Sequence, residues 1–412
     1  MIKKTIWIIN QYATTPETGL AGRSFYLAEE LAKKGHKVYL VAATSNHQHT
    51  SSPNIPHDYF VEKVRNVNFL WIKTPKYAEA HSKQRAINWL IFTYKLNKLK
   101  KLIKHTPDTI ICSSPSLIPF LGAERLSKNF KCQLVYEVRD IWPLTLIEIG
   151  GFSKTHPAIT LMRLIEKRAY KKSDIVLSNL KNSIQHMINS GLSPEKFHWL
   201  PNGFSFREVT ESLPISFETK ALIPKDKFIV GYTGTIGVSN CLDTLIESAE
   251  ILKNIPEIHF VLLGRGKEKK NLESLATKKG LKNITFIDPI PKPQIQSMLE
   301  NFDVCYLGLT NDPLFIFGVS PNKLFDYLYA SKPIIYAINS GDYHPVTEAN
   351  AGLEIEPQNP INLANSIKTL YDMDEDQRLQ LGSNGRKTAI DKYEYSLLAN
   401  KLYKILYPSQ DY

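Results

Sequence analysis

Phe317-Gly-Val-Ser-Pro-Asn-Lys-Leu-Phe-Asp-Tyr-Leu-Tyr-Ala-Ser-Lys-Pro-Ile-Ile335 is the stretch of this chain that most constrains its fold. Gly318 and Pro321 break any preceding regular structure, and Ser320 is a residue type that caps helix N-termini well. Pro321 would then stand in the first helical turn, where proline is tolerated. The stretch therefore predicts a loop, a helix, a tight turn and a strand, in that order.

The start of this predicted helix suits a phosphate group. A helix N-terminus carries about half a positive charge and several unpaired N–H groups. Lys323 in the first turn adds a full charge, and Asp326, one turn further on, could accept hydrogen bonds from both hydroxyls of a ribose. The alternative is an ordinary capped helix with solvated Lys323 and Asp326, and these residues alone do not decide between the two.

Length and composition predict a soluble globular protein of two domains, because 412 residues exceed one ordinary core and 43% of them are apolar. The chain has no run of eighteen apolar residues, and Met1-Ile-Lys-Lys4 leads directly into a strand-like segment. We therefore expect a cytoplasmic protein. The four cysteines have no metal-binding spacing, so buried thiols and no metal site are expected.

The positive charge is concentrated in the first half of the chain. Residues 1–205 contain 29 Lys and Arg against 14 Asp and Glu, whereas the remainder contains 22 against 26. This asymmetry suggests nucleic acid, an anionic membrane face or a phosphorylated substrate as the partner. The sequence contains no recognisable nucleic-acid-binding module, and its Lys and Arg residues are not interleaved with aromatic residues that could stack on nucleobases. We therefore expect no nucleic-acid partner.

Strand and helix patterns alternate almost throughout, which predicts parallel sheets with crossover helices. In the first half, strands are predicted at 5–10, 37–43, 67–73, 108–113, 132–138, 174–178 and 196–200. Gly19 and Gly22 follow the first strand and open a helix over 23–34. Ligands bind at the carboxyl ends of strands in open α/β sheets, so this glycine loop is a candidate binding element.

Residues 83–104 form a basic amphipathic pattern. A stripe from Ile87 to Ile103 is apolar, and Lys95, Lys98, Lys101 and Lys104 occupy much of the remaining surface. Such a pattern is typical of a helix at a membrane interface. It is equally compatible with a basic surface helix that covers the core of an α/β domain.

A buried strand at 132–138 is followed by polar residues. Glu137, Arg139 and Asp140 are expected at its carboxyl edge, at the mouth of a cleft between domains. Asp140 could accept a proton from an acceptor hydroxyl, and Arg139 could hold a phosphate. Alternatively, Asp140 caps the following turn.

Residues 201–226 interrupt the alternation with prolines and are predicted to be the interdomain linker. Strands are then predicted near 228–232, 258–263, 284–287, 303–308, 333–336 and 353–355, and final helices at 375–391 and 394–408. Glycine turns at 231–237 and 264–266 follow the first two of these strands. Together with the helix after Ser320, they would converge on one crevice of the second domain.

The order of these motifs resembles glycosyltransferase family 4. The resemblance rests on the glycine loop, the linker, Gly231-Tyr-Thr-Gly-Thr-Ile-Gly237, Leu262-Leu-Gly-Arg-Gly266, Asn283-Ile-Thr-Phe286 and Ser320-Pro-Asn-Lys-Leu-Phe-Asp-Tyr327. It implies a GT-B fold, in which two Rossmann-like domains face a central cleft and a C-terminal helix crosses back. The implied acceptor-binding domain is 1–205, the nucleotide-sugar domain is 206–390, and the returning helix is 391–412.

The same resemblance assigns roles to individual positions. Asp326 corresponds to the ribose-binding acidic residue of the family, whereas Gly318 stands where the family has an acidic residue that contacts the donor sugar. Val319 and Ser320 N–H groups would take over part of that role. The loop Thr235–Asn240 lacks the Arg and Lys that commonly hold the pyrophosphate, so Arg265 or Lys323 would compensate. The full set of implied donor contacts is Gly19, Gly22, Gly234, Thr235, Arg265, Gly318, Val319, Ser320, Asn322, Lys323 and Asp326.

The implied activity is a retaining glycosyl transfer in which Asp140, Arg139 and Lys323 are the catalytic candidates. Tyr136-Glu-Val-Arg-Asp-Ile-Trp-Pro143 together with Ser320-Pro-Asn-Lys-Leu-Phe-Asp-Tyr327 resembles the branch of L-fucosamine and related amino-sugar transferases of O-antigen and capsule synthesis. The expected donor is a UDP-linked amino sugar, bound without a metal. The expected acceptor is a polyprenyl-diphosphate-linked glycan at the inner, anionic face of the cell membrane. A GDP-sugar transferase and a UDP-sugar epimerase remain the alternatives.

Overall fold

The computed structural model describes residues 2–77 and 83–408. The chain divides into two compact units, Met1–Pro201 with Tyr395–Tyr412, and Asn202–Glu394. Sequence reasoning placed the corresponding boundaries at 205/206 and 390/391.

The first unit is built on an eight-stranded sheet with the order β3-β4-β2-β1-β5-β6-β7-β8. Its strands are β1 (Thr5–Ile9), β2 (Lys37–Ala43), β3 (Tyr59–Val64), β4 (Val67–Ile72), β5 (Thr109–Ser113), β6 (Gln133–Val138), β7 (Ile175–Ser178) and β8 (Phe197–Trp199). Every neighbouring pair is parallel except β3 and β4. Most strand residues are buried, as expected for a parallel sheet covered on both faces.

The edge strand β3 was not predicted from the sequence. It pairs only with β4, and four of its six residues are exposed or half-exposed charged and aromatic side chains, so it lacks the apolar run of the buried strands. An edge strand with one neighbour needs fewer apolar residues than a central one.

In the described residues, seven helices lie between the strands of this sheet. They are α1 (Arg23–Lys33), α2 (Lys83–Leu96), α3 (Leu99–Leu102), α4 (Pro119–Phe130), α5 (Leu144–Glu148), α6 (Pro157–Lys172) and α7 (Ile184–Asn189). The segment predicted as one helix over 83–104 is therefore two helices, and the prediction of a single stripe was wrong. Leu99 and Ile103 are buried together with Trp89 and Phe92, whereas the side chain of Leu90 is exposed.

The second unit contains a six-stranded, all-parallel sheet with the order β11-β10-β9-β12-β13-β14. Its strands are β9 (Phe228–Thr235), β10 (Ile258–Arg265), β11 (Ile284–Ile287), β12 (Val304–Gly308), β13 (Ile334–Ala337) and β14 (Gly352–Glu354). Its helices are α8 (Phe206–Thr210), α9 (Phe217–Ala221), α10 (Asp243–Ile251), α11 (Lys269–Lys278), α12 (Ile295–Leu299), α13 (Asn322–Tyr329), α14 (Pro345–Glu348), α15 (Pro360–Asp372) and α16 (Glu375–Lys392).

Residues 202–226, predicted to be a linker, belong to the second unit and include α8 and α9. The backbone N–H of Phe204 donates to the carbonyl of Tyr393, and Phe204 lies in the same apolar core as Phe325 and Tyr329. Pro214 and Pro224, which suggested a linker, lie in the loops that follow α8 and α9.

The last helix, α17 (Tyr395–Leu406), is part of the first unit, where it packs beside α1. Its residues Leu398, Leu402 and Leu406 are buried in the core of that unit, and the ring of Tyr395 stacks on Tyr26 at 5.2 Å between centroids. The predicted return of a C-terminal helix to the first domain is confirmed, as is the prediction of two Rossmann-like domains.

Candidate active site

Two glycine turns lie side by side at the carboxyl edge of the second sheet. The parallel pairing of β9 and β10 continues in register to Gly234–Gly264 and Thr235–Arg265. A Cβ on Gly264 would lie 1.8 Å from the Gly234 carbonyl oxygen, and one on Gly266 would lie 1.9 Å from that of Ile236. Only glycine permits this close approach, so the two turns form one compact surface with exposed backbone.

Lys323 joins this surface to the start of α13. Its Nζ donates to the Tyr232 hydroxyl at 2.7 Å and to Asn240 Oδ1 at 3.1 Å, and it lies 4.2 Å from the centroid of the Tyr232 ring. A Cβ on Gly234 would be 3.0 Å from the same Nζ. The structure thus brings Gly234, Thr235 and Lys323 together, and sequence reasoning missed Tyr232 and Asn240.

Dehydration lowers the pKa of Lys323 to about 7. In the part of the chain that the structure describes, its ammonium group donates to two neutral oxygen atoms and to no carboxylate. A lysine held this way gains a favourable charge partner when an anion binds, and the pKa then rises. A bound anion such as a phosphate would therefore supply a charge partner that the two neutral oxygen atoms do not.

The predicted cap of α13 was wrong. Pro321 is the N-cap residue and Ser320 precedes it, with its Oγ accepting a hydrogen bond from the Asn202 backbone N–H at 3.0 Å. The Asn202 side chain also donates to the Ser320 carbonyl at 2.7 Å. No side chain caps α13; the Leu324 N–H donates to the Pro321 carbonyl at 3.1 Å, and the N–H groups of Asn322 and Lys323 have no intrahelical partner, as expected for the first residues of a helix. Gly318 just before it has φ +82, a conformation that favours glycine.

Asp326 forms an ion pair with Lys292 instead of presenting a solvated carboxylate. Lys292 Nζ lies 2.8 Å and 2.7 Å from the two carboxylate oxygens. Burial lowers the pKa of Lys292, but the attraction of Asp326 outweighs it and keeps that pKa above its usual value. Lys292 lies in a short helical turn after β11, and no sequence pattern predicted its contact with Asp326.

In the first unit, Gly19 and Gly22 differ in how closely other atoms surround them. A Cβ on Gly19 would lie 2.7 Å from the Gln48 carbonyl, so this glycine permits close packing of two loops. Gly22 is the N-cap residue of α1, and its surroundings are open. These two residues lie in a different unit from the other predicted donor contacts.

The carboxyl end of β6 holds a buried ion pair that the sequence did not reveal. Arg23 Nε lies 2.8 Å from Glu137 Oε1, and the Ser113 hydroxyl donates to Glu137 Oε2 at 2.6 Å. Burial raises the pKa of Glu137, but Arg23 and Arg139 together outweigh it and hold the pKa below its usual value. Glu137, expected at the mouth of a cleft, is therefore a buried anchor of α1.

Arg139 and Asp140 follow this anchor. Their backbone N–H groups donate to the Ser114 hydroxyl at 2.8 Å and 3.4 Å. Asp140 is exposed, yet neighbouring protein atoms dehydrate its carboxyl group enough to raise its pKa, while Arg139 acts in the opposite direction. A carboxylate with a raised pKa is suited to accepting a proton.

Residues 2–77 and 83–408 lack the features of two other site classes. No group of three or more His, Cys, Asp and Glu side chains there could hold a metal ion. None of the helices in these ranges is long and apolar enough to cross a membrane.

Family models match most of the chain. Residues 19–207 match the model described as Glycosyltransferase Family 4, and residues 216–388 match the model described as Glycosyl transferases group 1. This chain is a family 4 glycosyltransferase. The two matched regions correspond closely to the two structural units, and the predictions of the family and of an enzyme are confirmed.

Similar proteins agree with this family 4 assignment. The "Putative colanic acid biosynthesis glycosyl transferase WcaI" of Escherichia coli K12 is 23% identical over 71% of this chain and 74% of its own length. The sucrose-phosphate synthase of Thermosynechococcus elongatus has a TM-score of 0.74 at 18% identity, over 99% of this chain and 100% of its own. HepE of Anabaena, solved with UDP-glucose, has a TM-score of 0.66 at 15% identity, over 98% and 100%. At these identities the solved structures establish the fold, which is GT-B.

Proposed function

We propose that this family 4 glycosyltransferase moves a sugar from a UDP-sugar, with retention, to a polyprenyl-diphosphate-linked glycan during synthesis of a bacterial surface polysaccharide. The observation that carries the donor half of the proposal is the position of Lys323, which reaches from the first turn of α13 to the glycine turn at Gly234. Helix N–H groups, glycine-turn backbone and one ammonium group converge there.

This arrangement fits the charge that develops during the reaction. Breaking a sugar–phosphate bond builds negative charge on the departing diphosphate and positive character on the sugar. Preorganised N–H groups and a cation at the diphosphate stabilise that charge, usually as the largest single contribution. Lys323 and the N–H groups at the start of α13 would supply this stabilisation in place of a metal ion. Retention follows if the acceptor attacks on the face that the diphosphate leaves, with a diphosphate oxygen helping to take the proton.

Similar proteins support the choice of donor and pathway. HepE was solved with UDP-glucose, and the WcaI relative is named for the biosynthesis of colanic acid, a polysaccharide. The amino-sugar donor rests on the resemblance of two motifs, Tyr136–Pro143 and Ser320–Tyr327. A GDP-sugar donor remains the alternative within the family.

A membrane surface as partner is supported by the exposed face of α2. Ile87, Leu90 and Tyr94 recur along one side of this helix and are 53%, 57% and 72% exposed. Contiguous exposed apolar side chains usually mark an interaction surface. The segment 83–104 contains seven Lys and Arg residues and no Asp or Glu, so its charge is also complementary to that of an anionic bilayer.

The neighbouring helices extend this face. In the first unit α2 packs against α4, and α4 packs against α6. On α6, Leu161 and Leu164 are 55% and 63% exposed. The acidic residues of α2, α4 and α6 are Glu124 and Glu166, and both are buried, so every exposed charge described on the three helices is positive. We propose that this three-helix face lies on the cytoplasmic surface of the membrane.

UDP binding measured by calorimetry tests the donor site. Wild type should bind UDP, and Lys323→Ala should weaken binding at least about tenfold, because a charge-assisted hydrogen bond is lost. Lys368→Ala is the matched control, since Lys368 is an exposed base of the same unit that pairs with Asp372. Binding of GDP but not UDP would show that the donor is a GDP-sugar rather than a UDP-sugar. Unchanged binding in Lys323→Ala would reject the proposed site.

Conversion of a UDP-sugar without any acceptor would favour the epimerase instead, and product analysis separates the two activities. An inverted anomer in the product, assigned by NMR, would overturn retention.

A further inference from the structure

The ammonium group of Lys323 is held by two neutral acceptors on the strand and turn beside it. Its Nζ lies 2.7 Å from the hydroxyl of Tyr232, a fully buried residue of β9, and 3.1 Å from Oδ1 of Asn240. Asn240 ends the short helical turn Val238–Asn240 after β9. Within residues 2–77 and 83–408, this ammonium group has no third hydrogen bond and no ion pair.

The direction of these hydrogen bonds follows from the chemistry of the atoms. The Tyr232 hydroxyl has one proton and donates it to the Thr235 carbonyl at 2.6 Å. Because a carbonyl oxygen can only accept, the Tyr232 oxygen is left as an acceptor toward Lys323. An ammonium group only donates, so the Asn240 amide must face it with its oxygen. Both partners therefore accept a hydrogen bond from Lys323 and offer none.

These two acceptors leave one N–H of Lys323 for a ligand. A lysine ammonium group carries three N–H donors, and Tyr232 and Asn240 use two of them. In the neutral amine, a lone pair takes the place of the third N–H. The same position therefore attracts an anion when Lys323 is charged and repels an anion when Lys323 is neutral.

A second contact between α13 and β9 keeps Lys323 in this place. The Tyr327 hydroxyl accepts a hydrogen bond from the Thr233 backbone N–H at 2.9 Å. Lys323 and Tyr327 are four residues apart, so they lie on one face of the helix. The Gly234 turn follows Thr233, and a Cβ on Gly234 would lie 3.0 Å from Lys323 Nζ. The ammonium group is therefore fixed beside the exposed backbone of that turn.

We propose that Tyr232 and Asn240 are positioning residues, which direct the third N–H of Lys323 at the diphosphate of the nucleotide-sugar donor. A diphosphate oxygen is an acceptor only, so it matches this N–H. The Tyr232 hydroxyl also holds the Thr235 carbonyl, so one side chain sets the position of the cation and of the glycine turn together. This inference deepens the proposed function and rests on it, because it requires a nucleoside diphosphate at Lys323.

Lys323 is the group of this site whose protonation changes near neutral pH, since burial lowers its pKa to about 7. The titratable groups around it are Tyr232 on β9, Cys241 after β9, Tyr306 on β12, and Tyr327 and Asp326 on α13. Burial raises the pKa of all three tyrosines above the usual value, and raises the pKa of Cys241 to about 11. These four groups therefore stay neutral between pH 6 and pH 8.5. Asp326 is engaged in its own ion pair.

UDP binding measured by calorimetry from pH 6 to pH 8.5 tests the proposal. Tyr232→Phe removes the hydroxyl and keeps the ring, and Asn240→Ala removes the amide oxygen from a half-exposed turn. Tyr336→Phe is the matched control, because it removes a buried tyrosine hydroxyl of β13 that contacts Ser340 and not Lys323. Each affinity is divided by the wild-type affinity at the same pH, which cancels the titration of UDP itself.

Tyr336→Phe should bind UDP as wild type does at every pH. Tyr232→Phe loses an acceptor of the charged form, so the pKa of Lys323 in the free protein falls further and fewer ammonium groups remain charged as the pH rises. Its affinity relative to wild type should therefore fall at least about threefold between pH 6 and pH 8.5. Asn240→Ala should show the same trend, and it decides the test if thermal melting shows that Tyr232→Phe does not fold.

A deficit of Tyr232→Phe that is equal at pH 6 and pH 8.5 would overturn the proposal, because a tyrosine that only stabilises the fold weakens binding by the same factor at every pH. Affinities of both variants within twofold of wild type throughout the range would overturn it as well. Wild type that binds no UDP at any pH would reject the donor proposal itself, and this inference with it, so the two failures are distinguishable.

Discussion

The ammonium group of Lys323 lies 2.7 Å from the hydroxyl of Tyr232 and 4.2 Å from the centre of its ring. The contact joins the first turn of α13 to the last residues of β9. It holds the cation beside the Gly234 turn, where its hydrogen-bond partners among the described residues are neutral, and dehydration lowers the pKa of Lys323 to about 7. A diphosphate would be the missing counter-charge.

UDP binding should therefore take up a proton. In the free protein at pH 8 most Lys323 side chains are neutral, because the pKa is about 7. A bound diphosphate favours the charged form and raises that pKa, so close to one proton is bound per UDP at pH 8, and affinity falls as pH rises above 7. Calorimetry at pH 8 in two buffers of different ionisation enthalpy measures the uptake. Lys323→Met should bind UDP weakly and take up no proton; equal uptake by this variant would contradict the assignment.

The glycine turns allow a second prediction. Gly264 has φ +156, and a Cβ there would lie 1.8 Å from the Gly234 carbonyl oxygen, so Gly264→Ala must displace the turn that carries Gly234. We expect loss of UDP binding by at least about tenfold and destabilisation by about 1–3 kcal/mol. Gly237→Ala is the control, because Gly237 lies in the loop that carries Gly234 and its Cβ would meet no atom closer than 3.6 Å. Equal binding by both variants would show that the turn does not contact the donor.

The sequence predicted most of the fold because parallel strands buried on both faces are apolar runs that stand out between helices. It failed at β3, whose edge position demands less burial, and at residues 202–226, where prolines lie inside a packed unit. In the site, it found the elements that backbone chemistry marks, such as Gly234 and the start of α13. The sequence did not predict the roles of Lys292, Asn202 and Arg23, because these roles depend on side-chain contacts with residues far away in sequence.

Variants of the ion pair between Asp326 and Lys292 can distinguish a role of Asp326 in ribose binding from a role in stability. The carboxylate is 15% exposed, so an approaching ribose could reach it while Lys292 holds its orientation. Asp326→Ala should weaken UDP binding about tenfold or more, since two hydrogen bonds to a charged group are lost. Lys292→Met keeps the carboxylate and should bind UDP within about threefold of wild type.

Both of these variants break the same ion pair, and comparing their melting temperatures with their UDP affinities separates the two effects. Parallel losses of affinity in both variants would mean that Asp326 acts only by stabilising α13.

The buried pair of Arg23 and Glu137 predicts a strongly non-additive effect on stability. Arg23→Met leaves the Glu137 carboxylate buried without its arginine, which should lower the free energy of unfolding by about 3–5 kcal/mol. Arg23→Met with Glu137→Gln removes both charges and should cost less than the single change, because no uncompensated charge remains. The low pKa of Glu137 also means that this stability is present at neutral pH and is lost as pH falls through that pKa. Urea unfolding of wild type, Arg23→Met, Glu137→Gln and the double variant at pH 7 and pH 4 measures both effects, and an additive double variant would show that the two side chains are not coupled.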